Sequence, residues 1–501
     1  MINRRTVLAG AALSGTLGGA ALLLPGGDPA AQAKGVPLHG PDTTASPSTG
    51  AQTDLSPDSV TKFTLPMAQP PVATPFSGNG LTTSYAMTLV ETSAQVLPGM
   101  LTTVRTFDGS FPGPIVKAKY GERVTIAQTN LLQVPVSVHL HGASAPADSD
   151  GQPMDTILPG DTKTYTYPNI QTQASLWYHD HAHMQESENV FRGVSGTYLL
   201  TDDTEQALNL PCGEFDVPII LRDARFDTNG QFIYTLGDFA NRNFILANGV
   251  AWPYFNVQAR KYRLRLYNGA NLRFFNLALS DGSSFTQIAS DGGLLPAPLT
   301  VKSLALSPGE RADVVIDFSQ YPVGTNLVLT NAPGAAPGPV ADIGQVMQFR
   351  VGPSWFPDNS QVPSTLRTLP DIGTATVNRT FTLRMDETTP NGLAYINEQV
   401  YDPDRVDTTV NYGDTEIWTI TNVNHFAPHN FHVHLVQFRV LERDGQPAGP
   451  QEAGLKDTVT VMPGETVKVQ MTFEGYRGKF LYHCHLFDHA AMGMMATMQV
   501  V

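Results

Sequence analysis

Hydrophobic and polar residues alternate in three widely separated stretches of the chain, and each stretch ends in asparagine. From Gly121 to Asn130, Val124 and Ile126 oppose Thr125 and Ala127. From Lys261 to Asn268, Leu264 and Leu266 oppose Arg263 and Arg265, and from Thr415 to Asn422, Trp418 and Ile420 oppose Thr419 and Thr421. A period of two predicts β-strands. Nine to twelve residues on, a second strand is expected, carrying His139 and His141 in the first copy, Leu277 and Leu279 in the second, and His432 and His434 in the third. A turn of proline, glycine and an acid follows each time, at Pro159-Gly160-Asp161, Pro308-Gly309-Glu310 and Pro463-Gly464-Glu465. Twenty residues past that proline stand His179-Asp180-His181, Val328-Leu329-Thr330 and His483-Cys484-His485. Three copies of one strand-and-turn pattern, with almost no helical periodicity, predict an all-β chain of three Greek-key sandwich or barrel domains. Their expected spans are 59–211, 212–360 and 361–501, with boundaries near Cys212 and in the stretch from Gly352 to Pro370. Ala332 to Pro339 reads as a loop within the second copy.

The N-terminus changes the picture of where the chain works. Arg4 and Arg5, an apolar run broken by Gly10, Gly15, Gly18 and Gly19, and the small residues Ala31-Gln32-Ala33 read as a twin-arginine export signal over 1–33. Residues 34–58, rich in Pro, Ser and Thr, read as a flexible leader, and His39 within it as solvated. No other stretch approaches the length of a membrane span, so a mature form free of the membrane, in the periplasm, at the cell surface or secreted, is expected. The formal net charge of −14 argues against nucleic acid or an anionic membrane as partner. A monomer is expected.

The C-terminal stretch carries the densest chemistry. In an extended segment His483 and His485 share one face while Cys484 points to the other, so one strand can touch two metal sites. Cys484, His489 five residues on and Met494 ten residues on offer a thiolate, an imidazole and a thioether. With a second histidine from elsewhere they make the donor set of a blue-copper site. The alternative, a structural zinc site, needs four closed ligands and usually more cysteine. The chain has only two cysteines, and Cys212 is expected to be a buried free thiol.

Histidine placement strengthens the metal reading. With 13 histidines in 501 residues, chance gives about 0.3 His-x-His pairs, by simple counting against a template. The chain has five. Four of them, 139/141, 179/181, 432/434 and 483/485, fall on expected strands with both rings on one face. Eight imidazoles exceed the needs of one ion and suit a cluster held between the two ligand-bearing copies, with the middle copy as a spacer.

The motifs His139-Leu140-His141-Gly142, Trp177-Tyr178-His179-Asp180-His181, Pro428-His429-Asn430-Phe431-His432-Val433-His434 and His483-Cys484-His485 with His489 and Met494 resemble those of three-domain multicopper oxidases. Phe107 to Pro114 and Lys456-Asp457-Thr458-Val459 resemble weaker signatures of the same family. Within it the pattern is similar to the bacterial spore-coat laccases, phenoxazinone synthase and the bilirubin oxidases, and the resemblance covers the chain from about residue 60. It implies cupredoxin-like domains and four copper ions. Cys484, His429 and His489, with Met494 axial, would hold the type 1 ion. His139 and His432 would hold type 2, His141, His179 and His485 one type 3 ion, and His181, His434 and His483 the other.

The implied reaction takes four electrons singly at type 1, passes them through Cys484 to His483 and His485, and reduces O2 to two waters. His183 and His425 match no ligand position and read as solvent-facing or neighbouring residues. Met492, Met495 and Met498 read as packing around the blue site, with soft contacts to cuprous ion as the other possibility. Asp150 matches an acid that relatives place near the type 2 water, against its plain reading as an Asp-Gly turn. Ala490 stands where bacterial relatives usually carry a proton-delivering Glu, and Asp488 is the neighbouring acid. Small aromatic reductants (phenols and aromatic amines) are the first substrate expectation, with O2 as acceptor. Cuprous or other metal ions and bilirubin are the alternatives, and a copper-free structural protein of the same fold is the non-enzyme reading.

Overall fold

The computed structural model describes residues 53–238, 240–331, 344–389 and 392–501. The export signal, most of the leader with His39, and the loop from 332 to 339 lie outside them. The described chain is almost entirely β-structure, arranged in six sheets. Strands between Ser77 and Thr201 form a five-stranded and a four-stranded sheet, those between Asp216 and Gly352 a seven- and a five-stranded sheet, and those between Val377 and Val500 a six- and a five-stranded sheet. Facing sheets close over separate apolar cores. That of the last pair is built on Phe381, Trp418, Phe431 and Tyr482.

The repeated asparagine has a repeated physical task. Arg123–Asn130, Lys261–Asn268 and Thr415–Asn422 each pair antiparallel with the strand after the proline-glycine turn. At the end of each strand the asparagine side chain stitches the following loop to that turn. The Asn130 amide donates to the Val134 and Ile157 carbonyls at 2.8 Å each, Asn268 to Arg273 and Leu306 at 2.8 Å each, and Asn422 to Ala427 and Val461 at 2.9 and 3.0 Å. Each side-chain oxygen also accepts the backbone N–H two residues on. The turn glycine then donates to the asparagine's own carbonyl, at 2.7, 2.8 and 3.0 Å for Gly160, Gly309 and Gly464. It does so from a left-handed backbone, which glycine adopts without steric cost. Truncating any of these asparagines would remove three hydrogen bonds at once, and each group left buried without a partner would cost about 1–3 kcal/mol.

The middle copy departs from simple alternation. Arg263 and Arg265, on the face opposite Leu264 and Leu266, are buried and pair with Asp313, Glu205 and Asp216. The neighbouring sandwiches cover that face, so its charges are neutralised rather than solvated. Cys212 corrects an expectation: it is an exposed free thiol. It precedes the short helical turn Gly213–Phe215 in a connection, outside any core strand. Two short helices also escaped the strand pattern. Glu186–Arg192 follows His181, Phe487–Ala491 follows His485, and the two pack together with Ser187 Oγ donating to Asp488 Oδ1 at 2.5 Å.

Candidate metal centres

Strand pairing delivers the histidines face to face. Val138–His141 runs antiparallel to Ala174–Asp180 with His139 opposite His179, and His429–Val433 runs antiparallel to Gly478–His483 with His432 opposite His483. The eight rings of the four pairs all meet in one buried cluster. His139 stacks on His434 and His141 on His432, each pair with ring centroids 3.8 Å apart. Three all-histidine donor sets emerge: His139, His432 and His434; His141, His179 and His485; His181, His434 and His483; a fourth joins His141 and His432 to Asp457. Trp177 and Phe487 wall the cluster, 4.4 Å and 5.0 Å from the His179 ring.

Hydrogen bonds on the outward nitrogens fix most of the tautomers. His139 Nδ1 donates to the Asp150 carbonyl at 2.6 Å and His432 Nδ1 to the Asp457 carbonyl at 2.8 Å. His179 and His483 donate through Nδ1 to the Asp180 and Cys484 carbonyls, and His434 through Nδ1 to Asp150 Oδ2 at 2.8 Å. The inward Nε2 atoms are then bare lone pairs. Those of His139 and His432 are buried without a partner, and His483 Nε2 lies 3.2 Å from both His181 Nε2 and His434 Nε2. Burial first, and neighbouring imidazoles second, hold His141, His181, His432, His434 and His485 far below the usual histidine range. Neutral rings that turn lone pairs on one another repel unless a cation lies between them. The donor set therefore fits metal ions, and an all-imidazole set suits first-row metals, copper among them.

A second centre lies within the last sandwich. Cys484 Sγ is 3.8 Å from His429 Nδ1 and 3.7 Å from His489 Nδ1, and the two nitrogens are 3.0 Å apart. His429 donates its other nitrogen to Asn424 Oδ1 at 2.9 Å, which leaves Nδ1 as the free lone pair. Burial pushes the Cys484 thiol up to about 12 and His489 down to about 4. A metal ion bound here would take the place of the thiol proton. Met494 is buried in the same core, and its carbonyl accepts the Cys484 N–H at 3.0 Å. His483 and His485 turn to the cluster while Cys484, the first residue past the strand Gly478–His483, turns to this centre.

The acids separate by their surroundings. Asp150 is buried and its carboxyl is raised by burial, with Oδ2 accepting from His434. It also ends a helical turn before Gly151, so turn and site coincide. Asp488 is buried too, but Arg242, the Gly237 N–H, Ser187 and Asn271 occupy its oxygens at 2.5–3.2 Å. His425 is exposed and His183 half-buried, its ring 5.1 Å from that of Tyr401. Two residues near the ligands carry roles that the sequence reading did not assign. Asn430 accepts the His485 N–H at 2.6 Å and the Cys484 thiol at 3.6 Å, and its position between His429 and His432 was the available signal. Asp457 accepts from His141 Nε2 at 2.8 Å; Lys456-Asp457-Thr458-Val459 marked the place without the role.

Profiles described as multicopper oxidase match residues 88–205, 175–341 and 362–501, more than half of the chain. The chain belongs to the multicopper oxidase family. It is accordingly an oxidoreductase of a copper-binding family. The oxidase is 34% identical to a laccase of Bacillus subtilis, over 88% of this chain and 98% of that one. It is 36% identical to a bilirubin oxidase of Albifimbria verrucaria, over 96% and 88%. The crystal structure of a laccase from Pediococcus acidilactici superposes with a TM-score of 0.80 at 29% identity, over 88% and 95% of the two chains. The all-β expectation of cupredoxin-like domains holds. No helix among the described residues is long and apolar enough to cross a membrane.

Proposed function

We propose that the oxidase is laccase-like, and that Cys484, His429 and His489, with Met494, would hold a type 1 copper. His139 and His432 would hold type 2. His141, His179 and His485, and His181, His434 and His483, would hold the type 3 pair, four ions in all. Bound copper supplies the one-electron oxidation of phenols and aromatic amines at Cys484 and the four-electron reduction of O2 to water at the histidine cluster.

One observation carries the choice of reductant: a cavity of about 370 Å3 opens on His489, lined by Met385, Glu387, Phe426, Pro428 and Met492. His489 is 7% exposed, while Cys484 and His429 are sealed, so the reductant meets the imidazole edge of His489. Phe426 and Pro428 offer apolar faces to an aromatic ring. The Glu387 carboxylate, anchored by the backbone N–H groups of Phe426 and Ala427 at 2.8 Å each, would accept the proton that a phenol loses on oxidation. Cys484 is joined through its own backbone to His483 and His485, which gives electrons a short covalent route. Asp150, in contact with His434, would supply protons. The relatives named laccase and bilirubin oxidase support an organic reductant.

Met385 and Met492 beside Glu387 favour a second reading, oxidation of cuprous ion, because thioethers are soft ligands for it. On the same proposal, residues 1–33 are a twin-arginine export signal and 34–58 a leader. Residues 59–211, 212–360 and 361–501 are the domains of an exported monomer. Copper-loaded protein should be blue, carry four coppers per chain by mass spectrometry, and consume O2 with a phenol and an aromatic amine. A colourless loaded protein would remove the type 1 assignment, and O2 uptake with cuprous ion alone would replace the laccase reading by the second.

A further inference from the structure

The middle sandwich bears no ligand, yet it sends one fully used guanidinium to the cluster. Arg311 is buried, and all five of its N–H donors are engaged. Nε donates to the Ser175 carbonyl at 3.0 Å, on the strand that ends in the first sandwich's histidines. Nη1 donates to the Gly309 carbonyl at 3.1 Å and Nη2 to the Asp291 carbonyl at 3.0 Å, both in the middle sandwich. The remaining two form a fork on Asp457 of the last sandwich, at 2.6 Å to Oδ1 and 2.7 Å to Oδ2. One side chain therefore ties the three sandwiches at a single point.

Asp457, so held, presents Oδ1 to His141 Nε2 at 2.8 Å. This reverses the arrangement at His139, His179, His432, His434 and His483, each of which donates through Nδ1 and turns Nε2 inward. With its proton fixed on Nε2, His141 turns Nδ1 inward instead, 2.9 Å from His485 Nε2. A neutral imidazole lends a lone pair from one nitrogen only, so the partner of the other nitrogen decides which is available. The fork is braced from behind. The Arg311 backbone N–H donates to Asp291 Oδ1 at 2.7 Å, and Asp291 Oδ2 meets Lys456 Nζ at 2.8 Å. A lysine at 311 would keep the charge and lose the two-pronged grip, because an ammonium is a point charge without a planar fork. There is no room to improvise nearby. A Cβ at Gly142 would lie 2.5 Å from Arg311 Nη2 and 2.6 Å from Asp457 Oδ2, and one at Gly309 would lie 2.8 Å from the His485 ring.

We propose that Arg311 is a positioning residue for the cluster, orienting Asp457 so that His141 presents Nδ1 to copper, and that the middle sandwich thereby sets a ligand it does not itself carry. The inference rests on His141 being a ligand, as the proposed function has it.

Arg311→Lys and Asp457→Asn test it, each read in three ways. In metal-free protein with labelled histidine, nitrogen NMR should show His141 protonated on Nε2 in the parent and a mixture of tautomers in both variants. Copper affinity at the cluster should fall about 10–100-fold, the usual cost of losing the group that orients a ligand, while the visible band from Cys484 stays. The double variant should lose no more than the worse single one, since the two residues act through one contact. An unchanged tautomer and full cluster loading in Arg311→Lys would overturn the proposal. So would equal loss of the visible band and the cluster signals, which would make Arg311 merely structural. Failure of the parent itself to bind copper would count against the proposed function instead.

Discussion

The centre at Cys484 and the eight-histidine cluster meet at His483 to His485, where the strand Gly478–His483 ends, and they are built in opposite ways. Cys484, His489 and Met494 lie within eleven residues, and His429 joins them from a strand of the same sandwich. Its donors sit in a buried, mostly apolar surround, with one imidazole edge at an open cavity. The cluster takes four histidines from each of two sandwiches and a brace from the third, with contacts such as His141 to His485 spanning 344 positions. It is sealed, and carboxylates orient it from outside. The difference teaches that a centre whose donors lie mostly on one short stretch can be local, whereas eight imidazoles that face one another need donors from several sides, which one sheet face cannot provide.

The sharpest way to break the comparison is to remove the one donor that cannot be replaced by oxygen. Cys484→Ser should abolish the visible band and oxidase turnover, while the cluster keeps its copper and the fold its melting temperature. A colourless but active variant would sink the division into port and cluster. Asp150→Asn acts on the other side. An amide still accepts from His434 but relays no proton, so turnover should fall about 100-fold, in the range for lost acid–base assistance. Copper content and the blue band should remain, and the rate of reoxidation by O2 is the quantity to follow. An unchanged rate across pH would return Asp150 to a turn role.

Glu186 tests the helix that packs beside Phe487–Ala491. It begins the helix after the cluster motif, is fully buried with no side-chain partner for either carboxyl oxygen, and is pushed up to about 8 by burial, with Asp180 and Asp488 adding and backbone N–H groups opposing. An acid raised on folding costs nothing below its unfolded value near 4.5 and costs progressively more as pH rises towards 8. Glu186→Gln should therefore leave metal-free stability unchanged at pH 4 and raise it by a few kcal/mol, to order of magnitude, at pH 8. Denaturant unfolding at several pH values reads this directly, and a gain independent of pH would mean that Glu186 is not buried as an acid. The smallest effect belongs to Met494→Leu, which should raise the type 1 potential by removing a weak axial donor without loss of copper. A redox titration with no shift would point to Met492 or Met495 instead.

The sequence alone determined what depends on local period and spacing. Alternation set the strands, the repeated Asn and proline-glycine signals set three equivalent folds, and the two-residue step between histidines put both rings on one face. The opposite aim of Cys484 followed from the same step. What it could not determine is what meets across the folds. Arg263 and Arg265 read as the polar side of an alternating strand, and only burial between sandwiches makes them paired cations. Cys212 read as a buried thiol, yet it falls in a connection, where a small apolar residue has no core to enter. The grip of Arg311 on Asp457, the reversed tautomer of His141 and the enclosure of Asp488 join residues more than a hundred positions apart. Pattern along a chain reports which side of an element is apolar, but not which element will face it, and hydrogen-bond geometry is decided by that partner.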